Sequence, residues 1–191
     1  TVAATMEAAT LWILVANEDS LFTGSGFVVA EGYVATNAHV VDMKPPFDIY
    51  IGNSVVPFTE ARLVGKSHDK RNPGGSDFAL LQFVPPAGVT LPILSFNTDI
   101  RRMDKVSAWG YPAMVTRWDN SVRMLVDDDY DGDDLSPPPV VYTEGTVRTL
   151  VKDAGGTSIV HTASIAGGNS GGPRVNRHGE VVGVNTWGYT E

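Results

Sequence analysis

Gly167-Gly168-Asn169-Ser170-Gly171-Gly172-Pro173 sets one serine among four glycines. Glycine takes positive φ without steric cost and lets a second backbone come close. A serine displayed in such a loop can aim its own N–H, and that of the glycine two residues earlier, at one spot. That suits a nucleophile with an oxyanion hole beside it. Alone, the stretch reads equally well as a polar turn, so two other places carry the decision. Gly32-Tyr33-Val34-Ala35-Thr36-Asn37-Ala38-His39-Val40-Val41 is a β-rich run that ends on a histidine among small and branched residues. Ser76-Asp77-Phe78-Ala79-Leu80-Leu81-Gln82-Phe83 opens a mostly apolar run with an aspartate. Serine is a weak nucleophile that needs an adjacent base, and the imidazole needs a buried carboxylate to fix its tautomer.

The chain order His39, Asp77, Ser170 is that of chymotrypsin-type enzymes and differs from those of subtilisins and α/β-hydrolases. With these segments together the chain resembles a trypsin-like serine protease domain, and within that superfamily it is most similar to the bacterial HtrA-type branch. Further matching segments are Gly24-Ser25-Gly26-Phe27-Val28-Val29, Ala108-Trp109-Gly110-Tyr111-Pro112, Glu144-Gly145-Thr146-Val147 and Val182-Gly183-Val184-Asn185-Thr186-Trp187-Gly188. The resemblance implies an all-β chain of two six-stranded antiparallel barrels with the site in the cleft between them. A composition break over 95–104 divides it. The expected halves are 1–98, carrying His39 and Asp77, and 99–191, carrying Ser170 and a long acidic loop at 114–139.

Composition agrees with that class. A chain of 191 residues buries roughly 70% of its unfolded surface, so it needs no staples, and it contains no cysteine. Many secreted animal proteases of the superfamily use disulfides, so this chain leans bacterial. The resemblance places it in the cell envelope (periplasm) or outside the cell. Net charge is −8 without a Lys/Arg stripe, which argues against nucleic acid or an anionic membrane as partner. No apolar run approaches the ~20 residues of a spanning helix, so no membrane insertion is expected. The chain opens at Thr1 with no signal peptide, as a mature or excised fragment does. It stops soon after Trp187, where the superfamily usually has another strand. HtrA-type proteins often form trimers, which leaves a homo-oligomer open.

Short apolar segments separated by Gly, Pro, Asn and Asp read as strands, with Leu11 to Ala16 a buried one and a short helix near Thr5 to Ala9. Asp127-Asp128-Asp129-Tyr130-Asp131-Gly132-Asp133-Asp134 holds six aspartates in eight residues, and Pro137-Pro138-Pro139 follows. Like charges cannot join a core and prolines cannot donate to a ladder, so this reads as an exposed loop. Asp127, Asp129 and Asp131 match the start of an EF-hand, but Pro138 stands where the bidentate glutamate belongs. A solvated loop is the favoured reading and a loose Ca²⁺ site the alternative. No metal ligand or cofactor is otherwise assigned.

Ser170 is thus the expected nucleophile, His39 the general base and Asp77 its orienting carboxylate. The backbone N–H groups of Gly168 and Ser170 are the expected oxyanion hole. Asp69 is the nearest competitor for Asp77, but Lys66, Lys70 and Arg71 place it in a solvated loop. His68 and His178 read as surface residues. His161 lies on a strand leading to the serine loop, packed and near the specificity pocket. Asn169 stands where zymogen-activated relatives carry an aspartate, so activation by nicking is not expected. Trypsin has an aspartate six residues before the nucleophile, whereas here Ser164 and Ile165 follow one another. Glutamate-specific relatives place a histidine on the strand that here reads Asn185-Thr186. A small or medium apolar side chain before the scissile bond is therefore expected, with Thr186, Trp187 and Gly188 pairing to the substrate backbone. The competing function class is a latent or non-catalytic trypsin-like domain that binds peptides or partner proteins.

Overall fold

The computed structural model describes residues 1–68, 76–113, 136–153 and 156–186. A helix α1 (Val2–Ala9), capped by Thr1 Oγ1 accepting from Ala4 N–H at 3.2 Å, leads into eleven strands. The helix is longer than the Thr5 to Ala9 segment expected. The first six strands are β1 (Thr10–Ala16), β2 (Leu21–Ala30), β3 (Tyr33–Thr36), β4 (Asp48–Gly52), β5 (Thr59–His68) and β6 (Asp77–Phe83). They close into a barrel in the order β1-β2-β3-β6-β5-β4, every neighbouring pair antiparallel. Register shifts in β2 (Val28/Ala30) and β5 (Leu63/Gly65) bend the strands, as closure demands.

Side-chain alternation explains why β1 reads as an unbroken apolar run. Leu11, Ile13 and Val15 fill the barrel, while Trp12 and Leu14 point the other way onto Tyr111. β2 does the same, with Val28 inside the barrel and Phe27 packed with Trp109, Val175 and Val181 of the second half. These two strands are buried on both faces, and their outer faces carry the second half of the chain. Met6 and Ala9 of α1 join that second core.

The second half comprises β7 (Lys105–Gly110), β8 (Val141–Asp153), β9 (Gly156–His161), β10 (Pro173–Val175) and β11 (Val181–Val184), ordered β11-β10-β7-β8-β9. The expected all-β, two-barrel architecture is borne out, the second barrel being, among the described residues, a curled sheet of five strands. The segment at 95–97 lies along its edge, where Val181 N–H donates to Ser95 O (2.7 Å) and Asn97 N–H to Val181 O (2.8 Å). Only one bridge forms there, Phe96 with Val181, so the linker does not become a strand. Two apolar segments, 141–142 and 147–151, lie on the one long β8. The Glu144-Gly145 step between them keeps its pairing with β7.

Asp127, Asp129 and Asp131 lie outside the described residues, and with them the Ca²⁺ question. At the described end of that stretch Pro138 is buried and Pro137 approaches Gly52 of β4. The exposed-loop reading fails at that end, because a proline ring is apolar and packs without needing a ladder partner.

Candidate active site

β3 ends at Thr36, and Asn37 starts a single 3-10 turn over Ala38–Val41. Ala38, Val40 and Val41 are buried, which leaves His39 as the residue that faces outward. β6 pairs with β3 in the register Thr36↔Ala79, so Asp77 at its first position arrives beside the turn. The carboxylate is 6% exposed. Its Oδ1 accepts the His39 backbone N–H at 2.9 Å, and its Oδ2 lies 2.6 Å from His39 Nδ1. Asn37 Nδ2 donates to the Asp77 carbonyl at 2.8 Å. Ring and carboxylate are thus locked together through both side chain and backbone. A proton on Nδ1 faces the carboxylate, and Nε2 is left as the acceptor.

The serine loop is shaped by two glycines in the left-handed region. Gly168 has φ +94° and Gly171 φ +86°. A Cβ on Gly168 would strike the Tyr111 carbonyl, and one on Gly171 would strike Thr36 Oγ1 and the Ser25 carbonyl. Gly171 therefore packs directly onto the Thr36–Asn37 backbone, and this sets Ser170 beside the segment that leads into His39. Among the described residues, neither Gly168 N–H nor Ser170 N–H donates to a carbonyl.

Ser25 of β2, fully buried, fastens this loop. Its Oγ donates to Gly168 O (2.7 Å) and accepts from Tyr111 N–H (2.9 Å), and its N–H donates to Ser170 O (2.9 Å). Its own carbonyl accepts from Thr36 Oγ1 at 2.7 Å. Asn185 fastens the loop from the other side: Gly171 N–H donates to Asn185 O (2.8 Å), and Asn185 N–H donates to Gly172 O (2.9 Å). Sequence reading missed the roles of Ser25, Asn37 and Asn185. The one available signal was Ser25 flanked by glycines at a strand position.

Of the expected pocket residues, Ser164 is exposed with its carbonyl accepting from Thr143 Oγ1 (2.6 Å), and Ile165 is half-buried. Thr186 Oγ1 accepts from Asn37 Nδ2 at 3.3 Å, tying the expected substrate strand to the turn that carries His39. Trp187 and Gly188 lie outside the described residues, as do Asp69, Lys70 and Arg71. Arg174 of β10 was not singled out from the sequence, yet it is 4% exposed, with Nη2 donating to Asn185 Oδ1 at 2.8 Å. Burial pushes its guanidinium down to about 10, so it remains charged at neutral pH. His161 is pushed down to about 4 by burial and by the Arg174 charge, and it is neutral there.

A family model described as trypsin-like peptidase domain matches residues 24–184. The chain belongs to the trypsin-like peptidase domain family. Among its relatives this peptidase domain is similar to the serine protease HTR4 of Rattus norvegicus, with 30% identity over 166 residues that cover 86% of this chain and 29% of that protein. It is also similar to a glutamyl endopeptidase of Staphylococcus epidermidis, with 26% identity over 205 residues that cover 93% of this chain and 58% of that one. The trypsin-like domain thus spans under a third of the length of the rat relative. The serine endoprotease from Yersinia pestis shares its fold, with a TM-score of 0.65 at 22% identity over 98% of this chain and 57% of that chain. Among the described residues no helix is long and apolar enough to cross a membrane.

Proposed function

We propose that this domain is a serine endopeptidase working through an acyl-enzyme, with Ser170 as nucleophile, His39 as general base and acid, and Asp77 as its orienting carboxylate. The observation that carries the reading is the 2.6 Å pair between His39 Nδ1 and Asp77 Oδ2, with Gly171, the neighbour of Ser170, lying against Thr36 and Asn37 at the start of the same turn. In this mechanism Ser170 Oγ attacks the scissile carbonyl carbon while its proton passes to His39 Nε2. The resulting oxyanion is received by the N–H groups of Gly168 and Ser170, each such donor supplying about 3 kcal/mol of transition-state stabilisation. His39 then protonates the leaving amine, and a water activated by the same imidazole releases the acyl group. Asp77 stabilises the imidazolium throughout without itself taking the proton.

Thr186, with Trp187 and Gly188 after it, is assigned to pair with the substrate backbone, and Ser164 and Ile165 to line the pocket for the side chain before the scissile bond. Ser164 supplies no carboxylate, so lysine and arginine are excluded as unpaired buried charges. The expectation of a small or medium apolar side chain was reached without Arg174. With a buried guanidinium bonded to Asn185, next to Thr186, we widen it to an uncharged or acidic chain. Of the relatives above, the one from Staphylococcus epidermidis is named for glutamyl cleavage. The HtrA-type likeness supports a place in the bacterial envelope or outside the cell.

A fluorophosphonate probe with intact-mass detection tests the catalytic assignment. One adduct is expected on the wild type and none on Ser170→Ala or His39→Ala. A folded wild type that takes no adduct overturns the reading in favour of a latent or peptide-binding domain.

A further inference from the structure

Among the described residues, the second half of the molecule holds a buried cation without a counter-ion. Arg174 makes one side-chain hydrogen bond, to the neutral Asn185, and its Nε has no partner. No carboxylate among the described residues pairs with it. A charge taken out of water and left uncompensated costs far more than a single neutral hydrogen bond returns. His161 Nδ1 is enclosed nearby and equally without a partner. The ring feels the Arg174 charge and cannot offset it, because both groups are donors or neutral. β9 lies over β11 beside Arg174: a Cβ at Gly183, its pairing partner, would stand 3.1 Å from Ile159 Cδ1.

Two unpartnered N–H donors and one uncompensated positive charge constitute a receptor for a carboxylate. Its place in the chain says which carboxylate. Asn185, which holds the guanidinium, immediately precedes Thr186 of the substrate strand, and its backbone bonds both Gly171 and Gly172 beside the nucleophile. His161 is three residues ahead of Ser164, at the expected pocket wall. Both groups are thus tied, through Asn185 and through β9, to the segments expected to form the pocket.

We propose that Arg174, Asn185 and His161 form the charged floor of the specificity pocket and receive the side-chain carboxylate of an aspartate or glutamate that precedes the scissile bond. This rests on the endopeptidase reading and sharpens it from an uncharged or acidic side chain to an acidic one. Arg174 supplies the charge and Nε–H, His161 supplies Nδ1–H in the corresponding tautomer, and Asn185 fixes the guanidinium plane. The shared chemistry with a free small anion such as acetate or chloride is a test arm rather than a second proposal.

The test measures binding, so that it does not depend on turnover. Peptides identical except for Glu, Asp, Gln or Leu before the scissile bond are titrated calorimetrically into the Ser170→Ala protein. The acidic peptides are expected to bind at least about tenfold tighter than the Gln peptide, a difference of about 1.4 kcal/mol. Arg174→Leu on the same background is expected to abolish that preference and His161→Gln to reduce it. Excess acetate is expected to weaken the Glu peptide and leave the Leu peptide unaffected, a readout that stands even if Arg174→Leu does not fold. Equal affinity for Glu and Gln peptides overturns the proposal, and so does a Glu preference that survives Arg174→Leu. Acetate raising the melting temperature while Glu and Gln tie identifies a free-anion site instead, which also overturns it. Preferential Glu binding by a wild type that takes no fluorophosphonate sinks the catalytic reading alone. Equal turnover of Glu and Gln peptides sinks this one alone.

Discussion

The two halves of the molecule bury polar groups in opposite ways. In the first barrel Asn53 is saturated. Its Nδ2 donates to the carbonyls of Glu7, Ala8 and Thr10, and its Oδ1 accepts from Val55 and Val56 N–H at 2.9 and 2.8 Å. Asp77 there is likewise spent on His39, in side chain and backbone alike. In the second half, among the described residues, Arg174 and His161 keep donors without a partner, in a sheet whose strands do not close. Both halves contain orphaned neutral atoms, Thr10 Oγ1 and Trp12 Nε1 in the first among them, but the charged orphan belongs to the second. The first half is thus a finished scaffold that holds base and carboxylate rigid. The second, among the described residues, leaves Arg174 Nε and His161 Nδ1 without a partner, the donors proposed above to receive a carboxylate. A closed barrel and an open curl divide positioning from recognition.

The largest way to break this division is at the carboxylate. Asp77→Asn keeps an acceptor for the His39 backbone but favours the wrong imidazole tautomer. The expected result is a fall in kcat of about 10⁴-fold with the melting temperature nearly unchanged, read by peptide hydrolysis and calorimetry. An equally large loss of stability would mean that Asp77 serves the barrel rather than the histidine. Next is Gly171→Ala, which needs a methyl group where Thr36 Oγ1 and Ser25 O stand, at a φ that alanine resists. It is expected to cost roughly 3 kcal/mol in urea unfolding and to abolish probe labelling of the folded fraction.

A matched pair sharpens the comparison further. Asn53→Ala and Ser25→Ala each strip partners from buried backbone groups, and each is expected to cost about 2 kcal/mol. Asn53→Ala should leave kcat per folded molecule unchanged, whereas Ser25→Ala should lower it, because Gly168 O and Tyr111 N–H lose their shared tether. Equal kcat values in the pair would remove Ser25 from the positioning of the loop. The smallest effect is in acid. Folded His161 has its pKa pushed down to about 4 by burial and the Arg174 charge. In the unfolded chain it titrates near 6.5, so the unfolded state binds the extra proton and stability falls as pH drops from about 6.5 to 4. His161→Gln removes that component, and its melting temperature is expected to decline less steeply across that window.

The architecture was legible because alternation and turn residues mark strands whatever they later pack against, and because three short segments in a fixed order carry the chemistry. Leu11 to Ala16 announced a strand buried on both faces, and Asp77 announced itself by opening β6. Closure was not legible, since whether Phe96 merely bridges Val181 or extends into a strand depends on the edge it meets. Nor was Arg174. In Pro173-Arg174-Val175 an arginine alternates with apolar neighbours as a surface residue does, and only the curl of β9 over β11 turns that face inward. Ser25 was hidden for a related reason: its partners at Tyr111, Gly168 and Ser170 come from the far half of the chain.

The double clamp on the serine loop also bears on the life of the chain during synthesis. Ser25 is made early, and Asn185, which bonds both Gly171 and Gly172, emerges after Ser170. A growing chain that has just passed Ser170 already contains histidine, aspartate and serine, yet its loop is held from one side alone. The second clamp thereby becomes available only once translation has passed β11 and Asn185.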